Sequence, residues 1–86
     1  MRKTSSARKA SPAFLQRVGN NIKSLREARG YSQQDLSHDS GLTTNYIGEI
    51  ERGRINISLA TIDALAKGLG CDVREIVTRR FDKEDQ

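Results

Sequence analysis

Four glycines punctuate this chain. Gly30, Gly41, Gly53 and Gly70 each close a stretch of helix-forming sequence, and Ser32, Thr43, Ser58 and Asp72 follow as residues that cap new helices. The longer stretches carry apolar residues at steps of three and four: Leu15, Val18, Ile22 and Leu25 in the first, then Leu59, Ile62, Leu65, Ala66 and Leu69 in the fourth. Leu36 is the inward residue of the second, Ile47 and Ile50 those of the third, and Val73, Ile76 and Val77 those of the last. The pattern predicts helices over about 13–29, 33–39 and 44–52, with two more opening at Ser58 and Asp72. Pro12 suits the start of the first helix and Ser11 its cap. No run alternates long enough to argue for a strand, so the expected fold class is all-α, a five-helix bundle.

Composition sets the scale. A chain of 86 residues supports one compact domain. The expected organisation is a basic, disordered N-terminal tail over 1–12, a folded domain over 13–80 and a short acidic C-terminal tail over 81–86. With no Trp and 5% aromatic residues, the core must be aliphatic. The net charge is +4, but it is polarised: residues 1–30 carry +7 and residues 31–86 carry −3. Basic clusters of this kind favour a polyanionic partner, and the run Arg2, Lys3, Arg8, Lys9 is either a solvated tail or an arm that follows phosphates or enters the minor groove.

Several classes of function find no support. One cysteine, Cys71, and one histidine, His38, supply neither a disulfide framework nor a zinc site. No nucleophile–base set, carboxylate pair or phosphate loop is present, so neither an enzyme nor a cofactor is expected. No apolar stretch approaches the ~20 residues of a membrane span, and the expected compartment is the reducing cytoplasm.

The informative segment is Ser32–Gly53, which reads as helix, tight glycine turn, helix. The second of these helices opens on Thr43, Thr44 and Asn45, with Glu49 one turn on, and none of the four is needed by the core. Asn pairs bidentately with adenine, Thr offers a hydroxyl and a methyl to thymine, and Glu accepts from cytosine N4. An acid near phosphates is also repelled, so Glu49 can instead orient Arg52 or Asn45. Gln33, at the first turn of the preceding helix, suits a backbone phosphate. Arg52, Arg54 and Asn56 follow the second helix and can clamp the other side of the groove, and Tyr46 is expected half-buried beside Ile50 with its hydroxyl free for phosphate.

These residues carry a resemblance. Ser32-Gln33-x-x-Leu36, Gly41-Leu42, Tyr46-Ile47-x-x-Ile50-Glu51-Arg52-Gly53, Asn56-x-Ser58-Leu59-x-Thr61-Ile62, Leu65-Ala66-x-x-Leu69-Gly70 and Val73-x-x-Ile76 together resemble the Cro/cI-type, or Xre, helix-turn-helix regulators. The resemblance covers about Val18 to Val77. It implies a lambda-repressor-like fold, double-stranded DNA as partner, phosphate contact by Gln33, bases or nearby backbone facing Thr43, Thr44, Asn45 and Glu49, and a structural ion pair between Arg26 and Glu51. Gly48 departs from the family pattern, either permitting close approach to the duplex or being merely tolerated. One recognition helix reads too few base pairs to single out an operator, so a homodimer on a palindrome is expected. Its interface is placed on the last helix and beyond, with Ile76, Val77 and Phe81. The function expected is repressor-like transcriptional regulation of the phage-repressor or restriction-modification controller type. An antitoxin-type autoregulator, or a protein-interaction module on the same fold, stands as the alternative, and RNA polymerase or a toxin as further partners.

Overall fold

The computed structural model describes residues 10–78, and these form five helices without strands: α1 Pro12–Ala28, α2 Gln33–Ser40, α3 Thr44–Glu51, α4 Leu59–Leu69 and α5 Val73–Thr78. Most of the expected tail and Phe81 lie outside the described residues. Each helix starts where a short polar side chain captures an unpaired backbone N–H. Ser11 accepts from the Phe14 N–H at 3.1 Å, Thr43 from Tyr46 at 3.1 Å and Ser58 from Thr61 at 3.1 Å. Ser32 and Asp35 make a reciprocal capping box on α2, at 3.0 and 2.9 Å. Asp72 accepts from the Arg74 N–H at 2.8 Å to open α5.

The core is aliphatic, as the composition requires. Val18, Ile22 and Leu25 from α1 meet Leu36, Ile47, Ile50, Ile62, Leu65, Ala66, Leu69 and Ile76 from the other helices. Burying each of the larger side chains contributes about 1.5–3 kcal/mol. Phe14, Tyr46, Cys71 and Val77 pack against the margin of this cluster, and burial pushes the Cys71 thiol above its ordinary range.

Three apolar positions differ from the sequence-based expectation. Leu59, expected on the inner stripe of α4, is 83% exposed, and Val73 is 37% exposed. Both sit at the first residue of their helix, where the stripe has not yet reached the core. Ile76, expected inward and also at a dimer surface, is fully buried inside the protomer, which agrees with the first expectation and overturns the second. Its side chain fills the core and is not available to a second copy.

Two features of α1 hold the bundle in register and were not anticipated. Gly19 faces the end of α3 so closely that a Cβ there would lie 2.5 Å from the Ile50 carbonyl oxygen and 2.8 Å from that of Glu51. Asn21, fully buried, donates from Nδ2 to the Ile76 carbonyl at 2.7 Å and so ties α5 to α1. Among the described residues no helix is long and apolar enough to cross a membrane.

Candidate nucleic-acid interface

The helix pair α2–α3 is built from local signals. α2 ends at Gly41, whose φ of 79° lets the chain reverse, and the Ser40 hydroxyl accepts from the Leu42 N–H at 3.2 Å within that turn. Ile47 and Ile50 are buried, at 0% and 1% exposure, which fixes the rotation of α3 about its axis. That rotation leaves Thr43 and Asn45 exposed and Thr44 half-buried at the start of α3. The Asn45 carboxamide forms no hydrogen bond among the described residues, so both its donor and its acceptor remain open. Thr43 accepts from the Tyr46 N–H as the helix cap, and its O–H proton stays available to donate.

The far end of α3 is cationic. Arg52 caps the helix with its side chain 56% exposed, and Arg54 follows at 64%. Between them lies the Glu49 carboxylate, 2.9 Å from Arg52 Nη1 and 3.8 Å from Arg54 Nη1. In the free protein this carboxylate therefore holds two arginines side by side.

A buried ion pair braces the base of the site. Arg26 on α1 meets Glu51 on α3 through two bonds, Nε–Oε2 at 2.7 Å and Nη2–Oε1 at 3.1 Å, and Nη1 also donates to the Tyr31 carbonyl at 2.7 Å. The hydrogen bond to Glu51 raises the Arg26 pKa above its ordinary value despite the opposing effect of burial. Gln33 joins the same carboxylate, donating from Nε2 to Glu51 Oε1 at 3.0 Å. One of its two amide N–H groups is thus used internally and the other is left for a ligand. Lys23, Arg26, Gln33, Gly48, Glu51 and Arg52 surround a notch of about 250 Å³. The notch opens at the N-terminal end of α2, where the helix dipole favours an anion.

The structure thus brings Gln33 and Arg52 around one notch and sets Thr43, Thr44 and Asn45 at the opposite end of α3. Asn56 is exposed in the loop after α3, and its Oδ1 accepts from the Ala10 N–H at 3.5 Å. The Tyr46 hydroxyl is not free, as it was expected to be: it lies 3.3 Å from Thr61 Oγ1, which also bonds Ser58 at 3.1 Å. Gly48 is buried beneath the side chains of Gln33 and Arg52, with room for a Cβ at ordinary contact, 3.4 Å from Arg52 Nη1. It lines the notch, as does Lys23, which the sequence reading did not single out. A Lys on the outer side of α1 carries no local signal that it borders α2 and α3.

The chain has relatives among known proteins. The helix-turn-helix family matches residues 22–76. The control protein C.SmaI of Serratia marcescens is 38% identical over 69 residues, covering 80% of this chain and 82% of that protein. The immunity repressor of Bacillus phage phi105 is 42% identical over 70 residues, 80% of this chain, and the chain spans about half (49%) of the repressor's length. Among solved structures, the restriction-modification controller protein C.AhdI from Aeromonas hydrophila superposes with a TM-score of 0.73 at 42% identity, covering 74% of this chain and 97% of that one.

Proposed function

The chain belongs to the helix-turn-helix family of DNA-binding transcriptional regulators of the Xre, or Cro/cI, type, and on that premise we propose that it acts as a cytoplasmic homodimer that reads a palindromic operator. In this reading Thr43, Thr44 and Asn45 face base edges in the major groove. Gln33, Arg52, Arg54 and Asn56 hold backbone phosphates on either side, and Tyr46, accepting from the Thr61 hydroxyl, donates its own O–H to a flanking phosphate. Glu49 shares the groove-facing side, and reading a cytosine would require its pair with Arg52 to open. The observation that carries the proposal is the polarity of α3. Its first turn presents an unpaired carboxamide and two hydroxyls, its buried side is closed by Ile47 and Ile50, and its last turn leads into two exposed arginines.

The role is of the controller or the phage-repressor type, since relatives of both kinds share the helix-turn-helix. A homodimer that must assemble to bind its operator responds to its own concentration. The dimer surface falls on the outer side of α5, where Val77 is half-buried and Val73 exposed.

Selection of bound duplexes from a random library tests the proposal. The expected winner is a palindrome with half-sites about 34–36 Å apart, bound at least ~10³-fold more tightly than random DNA. A library with no enrichment, or an asymmetric winner bound by a monomer, would overturn it.

A further inference from the structure

A helix of six residues such as α5 cannot hold itself in water, so its place depends on what it packs against. α5 packs on α1 and α4, and Ile76 is its buried side chain, at 0% exposure. Apolar contact is non-directional: it resists lifting of the helix more than tilting or rotation. A hydrogen bond supplies the direction. Ile76 is among the last four residues of α5, whose carbonyls have no partner within the helix. Asn21 Nδ2 donates to that carbonyl at 2.7 Å, from a side chain that is itself 0% exposed. Asn21 Oδ1 is buried with no hydrogen-bond partner among the described residues. An amide with its acceptor unmet inside an aliphatic core costs more than an apolar side chain in the same place. What it adds there is one directed donor.

The opposite side of α1 grips α3. Gly19 and Arg26 are seven residues, two turns, apart and therefore share one face. Gly19 abuts the Ile50 and Glu51 carbonyls, and Arg26 is bonded to the Glu51 carboxylate. Asn21 lies two residues beyond Gly19, about 200° around the helix, and faces α5. α1 is thus the rigid spacer between the helix that carries Thr43, Thr44 and Asn45 and the helix that carries Val73 and Val77.

We propose that Asn21 is a positioning residue for operator recognition: its bond to the Ile76 carbonyl fixes the angle between α3 and the α5 surface through which two copies pair, and so sets the separation of the half-sites they read. This rests on the reading of the chain as an operator-binding dimer paired through α5, and it names a determinant of that operator's spacing. The leverage is large. With half-sites about 34–36 Å apart, each recognition helix stands about 17 Å from the two-fold axis. A tilt of α5 by about 10° displaces that helix by about 3 Å, close to one base-pair step.

The test repeats the duplex selection with the full chain carrying Asn21→Leu, which keeps the branched outline and removes the donor, and with Asn21→Ala, which removes it without added bulk. Ile22→Val trims the core at the neighbouring position of α1 and leaves the Ile76 carbonyl bonded, so it controls for lost stability. Winners are sorted by half-site sequence and by the number of base pairs between half-sites. The parent and Ile22→Val should return one spacing. Both Asn21 variants should return the parental half-site sequence spread over spacings one base pair shorter and longer, with affinity for the parental operator lowered roughly 10-fold, the order of one lost hydrogen bond. Amides of α5 should exchange faster in these variants while those of α3 keep their protection. Asn21 variants that return only the parental spacing at parental affinity would overturn the inference and leave the operator-binding reading standing. Equal broadening in Ile22→Val would also overturn it, because spacing would then follow stability alone. Asn21 variants too unstable to select any duplex would do the same, by making Asn21 a support of the whole fold. A parent that enriches no palindrome would remove the operator-binding reading and the inference with it.

Discussion

Replacing Glu51 by Ala should unfold much of this protein's stability margin without touching the surface of α3. The side chains of Arg26 and Glu51 are 9% and 5% exposed and joined by bonds of 2.7 and 3.1 Å. Removing the carboxylate leaves a guanidinium charge in a site that water scarcely reaches, with the Tyr31 carbonyl as its remaining partner. Breaking a buried pair in this way costs about 3–5 kcal/mol. A domain of this size is held by roughly 5–10 kcal/mol in total, so up to half or more would be lost. At about 4–8 °C per kcal/mol for a domain of this length, the melting temperature should fall by roughly 12–40 °C. Urea titration at constant m-value would give the same energy independently. The pair itself need not be strongly stabilising, since its desolvation cost offsets much of its attraction. Arg26→Met combined with Glu51→Leu should therefore recover most of what Glu51→Ala loses. A Glu51→Ala protein melting within about 4 °C of the parent would refute the assignment of a buried, mutually dependent pair.

Other outcomes follow from the same geometry. Gly19→Ala should destabilise by about 1–3 kcal/mol, because its Cβ meets backbone oxygens that cannot rotate away. Gly48→Ala should be neutral or stabilise by up to about 1 kcal/mol, because its Cβ meets only the movable end of Arg52; thermal melts of the two variants should shift in opposite directions or differ clearly in size. Glu49→Gln should release Arg52 and Arg54, raise affinity for random duplex and steepen its salt dependence; an unchanged slope with lost preference at a cytosine would show a base contact instead. Hydrogen bonding from Ser32 holds the Asp35 carboxyl below its ordinary range, so its contribution is complete above the unfolded value of about 3.9 and is lost as pH falls through the folded value. The difference in melting temperature between the parent and Asp35→Ala should then be constant above about pH 5 and narrow in more acidic buffer.

Helix boundaries were largely legible because their signals are local. A Ser or Thr cap and a terminal glycine act within one turn, so α1 to α3 begin and end within a residue of the positions read from the pattern. The exposed first turn of α3 was legible for a related reason: once Ile47 and Ile50 are assigned inward, the helical period places Thr43, Thr44 and Asn45 elsewhere. Contacts between helices were less so. Gly19 reads as a helix-weakening residue until the crossing of α1 and α3 is known. Asn21 lies three residues after Val18 and four before Leu25, so its spacing already put it on the inner stripe; its polarity hid it. The spacing of Ile76 reads as inward, and only the family resemblance together with spare apolar residues on a short helix suggests a dimer surface as well; the core needs that side chain to close over α1 and α4. Leu59 failed in the opposite sense, since a stripe of correct period can extend one turn past the neighbour it packs on.

The central claim is that the first turn of α3 reads bases. Repeating the random-duplex selection with Thr44→Ala and Asn45→Ala tests it most directly. Each variant should still enrich a palindrome, but lose preference at one or two symmetry-related positions, with a cost of about 1–3 kcal/mol on the parental winner and little change on random DNA. If both variants return the parental consensus at parental affinity, the bases are read from elsewhere and the account of this helix is wrong.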